Sequence, residues 1–498
     1  MSIIGLDLGT SGVRAVAFDG GGGVRAHASA RLALSRDGRG RVELDGDAIL
    51  TAAERVVAHA ASGAAAAGDP VRAIGLSILG EAVVPVDAEA RLLAPVAVSM
   101  DTRGTPHALA LGDAIGADRF SQITGQPLHG MFSLFKIMAG DERWRDAAGY
   151  RCVGDLVAER WTGRPGIDLS QAARTGALDV GTGDWSPDIF EFASEFAPWL
   201  REDRMPEPVA AGEVIARLAE PAASRLGLPA GTPVVAGAHD QAAAFLGAGG
   251  DPGIRSVIAF GSSDCMTIGT CERPHNLAGT GFATYRVRDG LWVTLAGTAA
   301  GGWALEWFAG LLDRPVVEVF DALSEVPPGL LFLPYLAGSG TLDNDPGARG
   351  VIHGLTLDTT VPDVARAVVE GAGYEFHKIV AALVSRGIAV GDLRVTGSGA
   401  DNRAALAARV DASGLSLTPA PPDASARGAA MFALAAIGGD PAELSPRFDE
   451  HLTVSPSTDP DGWYARQRRA YVELYESTQG IASHLASSPA SHQKENHT

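Results

Sequence analysis

Apolar residues dominate positions 3–8 and again 13–18, broken only by Asp7 and Arg14, with the polar, glycine-rich Gly9-Thr10-Ser11-Gly12 between them. Two short apolar runs around such a turn read as buried strands of a β-hairpin. A second turn, Gly20-Gly21-Gly22-Gly23, leads into a third strand at 24–34, so the chain opens as an antiparallel meander. At 47–67 the spacing becomes helical and alanine-rich, and 73–78 returns to a strand. The plan recurs after residue 250. Residues 256–260 read as a strand, Gly261-Ser262-Ser263-Asp264 as a turn and 265–268 as a strand. A long helix at 361–386, a strand at 393–396 and the tight loop Gly397-Ser398-Gly399 follow. Each half thus begins strand, polar glycine loop, strand. Two such halves facing each other enclose a cleft between two phosphate-contacting loops.

A chain of 498 residues exceeds one hydrophobic core and implies two large domains. The hinge-like composition at 247–253 divides it into 1–247 and 248–480. Residues 483–498, aperiodic and containing Ser, His and Lys, are expected to be a disordered tail. The formal charge of −19 argues against a nucleic-acid partner, which needs clustered Lys and Arg. No apolar run approaches the roughly 18 residues of a membrane span, and the opening MSIIGLDLGTSG lacks a basic leader. The expectation is a cytoplasmic protein without membrane attachment. Three cysteines without CxxC spacing argue against a disulfide framework or zinc site.

Two segments carry candidate chemistry. In Asp7-Leu8-Gly9-Thr10-Ser11-Gly12-Val13-Arg14 a strand presents a carboxylate and then runs into a glycine–hydroxyl turn. Backbone N–H groups, the Thr10 and Ser11 hydroxyls and the Arg14 cation suit a phosphate, and Asp7 suits Mg²⁺, which takes few carboxylates and several waters. An ordinary β-turn uses the same residues. The chain has no GxxxxGK[ST] loop and no GxGxxG after a strand, so any ATP grip is of another kind. The second segment is Gly237-Ala238-His239-Asp240-Gln241, between an apolar strand at 233–236 and a small-residue helix at 242–247. Asp240 reads either as a helix N-cap or as a general base for a sugar hydroxyl.

Asp7-Leu8-Gly9-Thr10-Ser11, the His239-Asp240-Gln241 turn and residues 350–370 together resemble the FGGY family of carbohydrate kinases. The last is the most specific. Gly350-Val351-Ile352-His353-Gly354-Leu355, seven residues, then Asp363-Val364-Ala365-Arg366-Ala367-Val368-Val369-Glu370 follow the family's C-terminal signature throughout. Its N-terminal signature is partly present as Met131-Phe132-Ser133-Leu134-Phe135-Lys136-Ile137, with Ala139 in place of the closing Trp. The matches run from residue 5 to about 430.

The resemblance implies an α/β, actin-like (ribonuclease H-like) ATPase fold, two similar domains around a central cleft. Domain 1–247 would carry the sugar and the base, and 248–480 the nucleotide. ATP and Mg²⁺ are the implied cofactors, with Asp7 on the metal and Thr10, Ser11 and Arg14 toward the phosphates. Asp240 becomes the base and Gln241 a sugar contact. Ser77-Ile78-Leu79-Gly80-Glu81 matches the family's sugar-binding segment, making Gly80, Glu81 and Met131 substrate contacts. Glycerol kinases carry Arg at the Gly80 position and Tyr at that of Met131, which counts against glycerol. Asp101, in Ser99-Met100-Asp101-Thr102-Arg103, lies beside the sugar or forms a structural ion pair with Arg103. Gly261, Ser262 and Ser263 match a second phosphate loop, or form a plain hairpin turn. The segment Ala300-Gly301-Gly302-Trp303-Ala304-Leu305-Glu306-Trp307 would flank the nucleotide through Gly302 and Glu306, with Trp307 in the core. Gly397-Ser398-Gly399-Ala400-Asp401-Asn402 resembles the adenine-side GGGA loop, with Gly399 and Asn402 as contacts.

The expected activity is ATP-dependent phosphorylation of a small ketose, first a ketopentose such as xylulose, then another sugar or polyol. A reading from a different class is an actin- or Hsp70-like nucleotide switch, which shares the opening motif and the fold. A C₂ homodimer is the default assembly.

Overall fold

The two predicted strand–turn–strand units open two six-stranded sheets. The computed structural model describes residues 1–298, 301–459 and 461–486. The first sheet runs, edge to edge, Val214–Arg217, Pro233–His239, Val71–Ile78, Ser2–Leu8, Gly12–Phe18 and Val24–Arg31. Its N-terminal meander is antiparallel, whereas Ser2–Leu8, Val71–Ile78 and Pro233–His239 are mutually parallel. The second sheet runs Ala283–Arg288, Leu291–Gly297, Asp264–Thr270, Arg255–Phe260, Asp392–Thr396 and Leu417–Pro419. Here too the antiparallel strands pass into three parallel ones, Arg255–Phe260, Asp392–Thr396 and Leu417–Pro419. An antiparallel meander whose first strand continues a parallel set, repeated twice, is the ribonuclease H-like plan of an actin-like fold.

The predicted helix at 47–67 forms as Gly46–Ala66, capped by the Asp45 side chain, which accepts from the N–H groups of Asp47 and Ala48. The predicted strand at 24–34 ends at Arg31. The helix Asp240–Gly247 and the strand Arg255–Phe260 flank the glycine-rich stretch at 247–253.

Two helices are exchanged between the sheets. Ala424–Ala436 follows the last strand of the second sheet yet packs on the first, where Ala426, Ala430 and Leu434 join Ile3, Phe18 and Val235 in one core. Asp240–Gly247 follows the first sheet and packs on the second, with Phe245 against Gly269. The two helices touch backbone to backbone. A Cβ on Gly428 would lie 1.9 Å from the Ala243 carbonyl oxygen, and one on Gly247 would lie 1.9 Å from that of Ala424. Neither helix can yield without dragging its sheet. Gly428→Ala is therefore expected to cost more than about 3 kcal/mol by forced overpacking, seen as a lower urea midpoint or loss of soluble protein. A Tm within 1–2 °C of wild type, about the noise of such a measurement, would show that the crossing is looser than this.

The expected tail is not disordered throughout. The helix Trp463–Ala486 continues past residue 483, and residues 487–498 lie outside the described ones. Its tyrosines explain the order. Tyr471 and Tyr335 each donate to Glu375 at 2.7 Å, and Tyr464 donates to Glu370 at 3.1 Å, so buried carboxylates on Val361–Ser385 anchor it. Among the described residues no helix is long and apolar enough to cross a membrane.

Candidate active site

The parallel strands of the first sheet align their C-terminal ends. Asp7 pairs in register with Ser77, and Ser77 with Ala238, so Asp7, the 77–81 segment and His239-Asp240 lie side by side. Ligands of α/β sheets collect at that edge. Ser77 Oγ donates to Asp7 Oδ1 at 2.9 Å. Burial raises the Asp7 pKa against this bond and against Arg14, and nearby Asp423 raises it further. Asp240 is the first residue of its helix and His239 takes the N-cap position, so the N-cap reading of Asp240 is not realised. Its carboxyl, with 29% of its side-chain surface exposed, is pushed up to about 7, first by burial and then by Asp7 and Glu81, with Arg174 opposing. Three carboxylates converge where a base with a pKa near neutrality is useful.

Glu81 holds a left-handed backbone conformation, φ 60°, uncommon for a residue with a side chain. Ser133 Oγ and Lys136 Nζ both donate to its carbonyl oxygen, at 2.9 and 3.0 Å. Its Oε1 pairs with Arg174, whose Nη1 donates to Gln126 Oε1 at 2.8 Å. Glu81 and Arg174 are both buried, 4% and 9% exposed. Lys136, fully buried, has its pKa lowered to about 7 by desolvation, against Glu81 and Asp101. Gly80 is forced: its Cβ would lie 2.6 Å from His239 Nε2. Met131 packs half-buried against the neighbouring core, and Gln241 is likewise half-buried.

In the second sheet the turn at 261–263 is exposed, and the loop after Asp392–Thr396 lies beside it, since a Cβ on Gly397 would meet the Phe260 carbonyl oxygen at 2.1 Å. The helix Gly302–Leu311 starts on the same turn: the N–H groups of Gly302 and Trp303 donate to the carbonyls of Gly261 and Ser262, each at 2.8 Å. The close approach that Gly302 permits is thus to protein backbone. The hydroxyls of Thr10, Ser11, Ser262 and Ser263 have no side-chain partner among the described residues. Glu306 is exposed, and Trp307 stacks on Phe332 at 5.8 Å, in the core as expected. Ala300 lies outside the described residues.

Four predicted contacts are otherwise engaged. Asp101, 1% exposed, accepts from Arg103 Nε at 2.8 Å, Arg103 Nη2 at 2.7 Å and the Val42 N–H at 2.9 Å. Its oxygens are spent on a structural ion pair that extends to Glu43, not on a sugar. Asn402 caps the helix Arg403–Ser413 by accepting from the Ala405 N–H, and its amide donates to Asp321 Oδ1 at 2.7 Å, so it shapes the adenine-side loop rather than presenting a free amide to it. Gly399 packs against Phe260 and Arg409 beneath that loop. Arg14 pairs with Asp423 at 3.1 Å, tying the two sequence halves together at the cleft edge. Sequence reasoning missed Arg174, Gln126 and Tyr285. Arg174 ends the helix Leu169–Arg174, Gln126 lies in the turn after Ala117–Thr124 and Tyr285 stands on Ala283–Arg288, and no motif marks any of them.

Two ribonuclease H-like sheets, with carboxylates at the edge of one facing hydroxyl-bearing glycine turns at the edge of the other, define an actin-like ATPase cleft adapted to phosphoryl transfer. Residues 2–247 match the model of the FGGY family of carbohydrate kinases, N-terminal domain, and residues 256–437 the model of its C-terminal domain. The chain belongs to the FGGY family of carbohydrate kinases: it is a sugar kinase that takes its phosphoryl group from ATP. It is 28% identical over 488 residues to a xylulose kinase of Escherichia coli, spanning 95% of this chain and 98% of that one. It is 29% identical over 457 residues to a glycerol kinase of Alkalilimnicola ehrlichii, 88% and 90% of the two chains. The structure of a xyloylose kinase from Brucella ovis superposes with a TM-score of 0.87 at 26% identity, covering 97% of this chain and 100% of that one.

Proposed function

We propose that this kinase phosphorylates a ketopentose, xylulose first, with Asp240 as the general base. The observation that carries the mechanism is the Asp240 carboxylate, raised to about 7 by burial and by its acidic neighbours, at the edge of the parallel strands. The choice of xylulose rests on the relatives. Xylulose kinases recur among them, and one matches nearly end to end. Gly80 agrees with this, since its position leaves no space for the Arg of glycerol kinases beside His239.

In this reading residues 1–247 hold the sugar through Gly80, Glu81, Met131 and Gln241, and residues 248–480 hold the nucleotide. Glu81 keeps Oε2 free of protein hydrogen bonds among the described residues, ready for a sugar hydroxyl. Thr10, Ser11, Gly261, Ser262 and Ser263 supply donors to the phosphate tail. Asp240 removes the proton from the attacking hydroxyl as the phosphoryl group arrives in line, and no covalent enzyme intermediate is needed. Asp7 fits Mg²⁺: it is a single carboxylate with one oxygen held by Ser77, crowded by other acids, and Mg²⁺ prefers few carboxylates plus phosphate and water. Bound there, Mg²⁺ would neutralise charge on the β- and γ-phosphates. Closure of the halves would exclude water and limit ATP hydrolysis.

The test is ADP release with Mg-ATP across ketoses, aldoses, aldonates and polyols. Xylulose is expected to give a kcat/KM at least about tenfold above glycerol and gluconate, the span of one or two well-placed polar contacts. A preference for glycerol or gluconate would overturn the substrate. ATP turnover indifferent to every sugar would favour the nucleotide switch.

A further inference from the structure

The base Asp240 has a neighbour that the proposed mechanism does not use. His239 is 5% exposed, and three contacts hold it from three directions. Its backbone N–H donates to Ser170 Oγ at 2.7 Å. Its Nδ1 lies 2.7 Å from the Tyr285 hydroxyl, and its Nε2 lies 3.3 Å from Asp240 Oδ1. Tyr285 is fully buried and stands on Ala283–Arg288, in the second sheet, so it reaches across from the other sequence half. The ring fills the space above Gly80, where any Cβ would collide with Nε2.

From this geometry we infer that His239 is a positioning residue for the base: Tyr285 donates to Nδ1, which fixes the proton on Nε2, and Nε2 stands 3.3 Å from Oδ1 of Asp240, a contact that becomes a hydrogen bond as the site tightens around substrate and leaves Oδ2 for the sugar hydroxyl. The inference rests on Asp240 being the base. The hydrogen count selects this arrangement. A neutral imidazole has one N–H, the phenol one O–H and an ionised carboxylate none. Only Tyr285 O–H to Nδ1 together with Nε2–H to Oδ1 gives each contact a hydrogen. The opposite tautomer would set a nitrogen lone pair against the carboxylate. Burial and the Arg174 charge hold the His239 pKa well below the ordinary histidine value, and burial keeps Tyr285 protonated, so both groups are neutral as the count requires. At 3.3 Å the Nε2 contact is longer than a charge-assisted hydrogen bond, and such contacts commonly tighten when substrate binds.

The brace is a fixed part of the fold, because Tyr285 shares one core with Ala172, Ala173 and Ala238 of the first half. The other groups facing Asp240 are Asp7, Glu81, Arg174 and the Cys265 thiol. All of them remain in the variants below, so a change in the pH profile reports the His239 contact.

The test uses the full-length protein with ¹⁵N-labelled histidine, the His239 signal being assigned by its loss in His239→Gln. With Asp240 ionised, at pH 8 to 9, the expected state is a neutral Nε2–H imidazole, turning to a tautomer mixture in Tyr285→Phe. A dominant Nδ1–H form or an imidazolium at pH 8 would overturn the inference whatever sugar is used. In the kinase assay Tyr285→Phe and His239→Leu are expected to lower kcat about tenfold, the worth of one hydrogen bond to a charged group. Sugar KM should stay within about twofold, and the acid limb of kcat/KM should move up by about half a unit or more, since the N–H favours the ionised carboxylate. His239→Gln keeps an acceptor for Tyr285 and a donor for Asp240, and should recover most of the rate. Wild-type kcat and acid limb in Tyr285→Phe would sink the positioning role. Full kcat in Asp240→Asn would instead sink the base assignment on which it stands.

Discussion

Asp240→Asn lowers kcat for sugar phosphorylation by about 10³-fold, within the range of a lost general base, while the affinity for ATP is retained. The amide keeps the shape of the side chain and cannot accept the proton. In the wild-type enzyme the working form is the ionised one, so kcat/KM rises with pH through about 7, the value to which burial, Asp7 and Glu81 push this carboxyl. Below that pH the activity falls as Asp240 is protonated, and the residual rate of the Asn variant should not follow this limb. The same shift has a stability sign. Asp240 ionises near the ordinary aspartate value of 3.8 when the chain is unfolded and near 7 when folded, so folding loses stability as pH rises between those values. Above pH 7 the penalty is fully present. Asp240→Asn removes it, and at pH 8 the variant should melt no lower than wild type and above it if the carboxylate is as crowded as described. Thermal scans and pH–rate profiles on one preparation check both halves. An unchanged kcat in the Asn variant would return Asp240 to a structural role.

Arg174→Met should produce the largest combined loss of stability and sugar affinity. Arg174 pairs with Glu81, bonds Gln126 and lies 5.1 Å over the Phe132 ring, all in the interior. Removing the guanidinium strands the Glu81 carboxylate, and breaking one side of a buried pair costs about 3–5 kcal/mol. Glu81 is also the proposed sugar contact, so sugar KM should rise by more than about tenfold with the loss of its alignment, while ATP binding is less affected. Glu81→Gln together with Arg174→Met should be more stable than Arg174→Met alone, because the stranded charge is gone. Urea denaturation of the two single variants and the double variant gives the coupling directly. Additive effects would mean that the pair is solvated in solution and does not organise the pocket.

The motif residues were readable because they sit on elements whose type is decided locally. Asp7-Leu8-Gly9-Thr10-Ser11 is an apolar strand meeting a glycine turn, and the hydroxyls of that turn have no side-chain partner among the described residues. His239-Asp240-Gln241 likewise falls where a strand becomes a helix, the position at which strand-edge side chains point into a cleft. Asp101 and Asn402 lie in recognisable motifs too, yet their polar atoms are taken by Arg103 and by a helix end. A motif names a residue and not its partner. The helix Trp463–Ala486 runs into the start of the expected tail. Residues 483–486 look aperiodic in isolation and are carried by a helix whose tyrosines find Glu375 and Glu370, about 90 residues or more away in sequence.

Periodicity and turn composition were enough for two meander-led α/β halves, because these depend on contacts between near neighbours. The exchange of Asp240–Gly247 and Ala424–Ala436 between the sheets was invisible in the pattern, since an alanine-rich helix carries no label for the face it will cover. The ionic state of the site was invisible for the same reason. Asp240 near 7, a neutral His239 and the Glu81–Arg174 pair arise from desolvation and from charges that meet only when residues 7, 81, 174, 240 and 285 are brought together by folding.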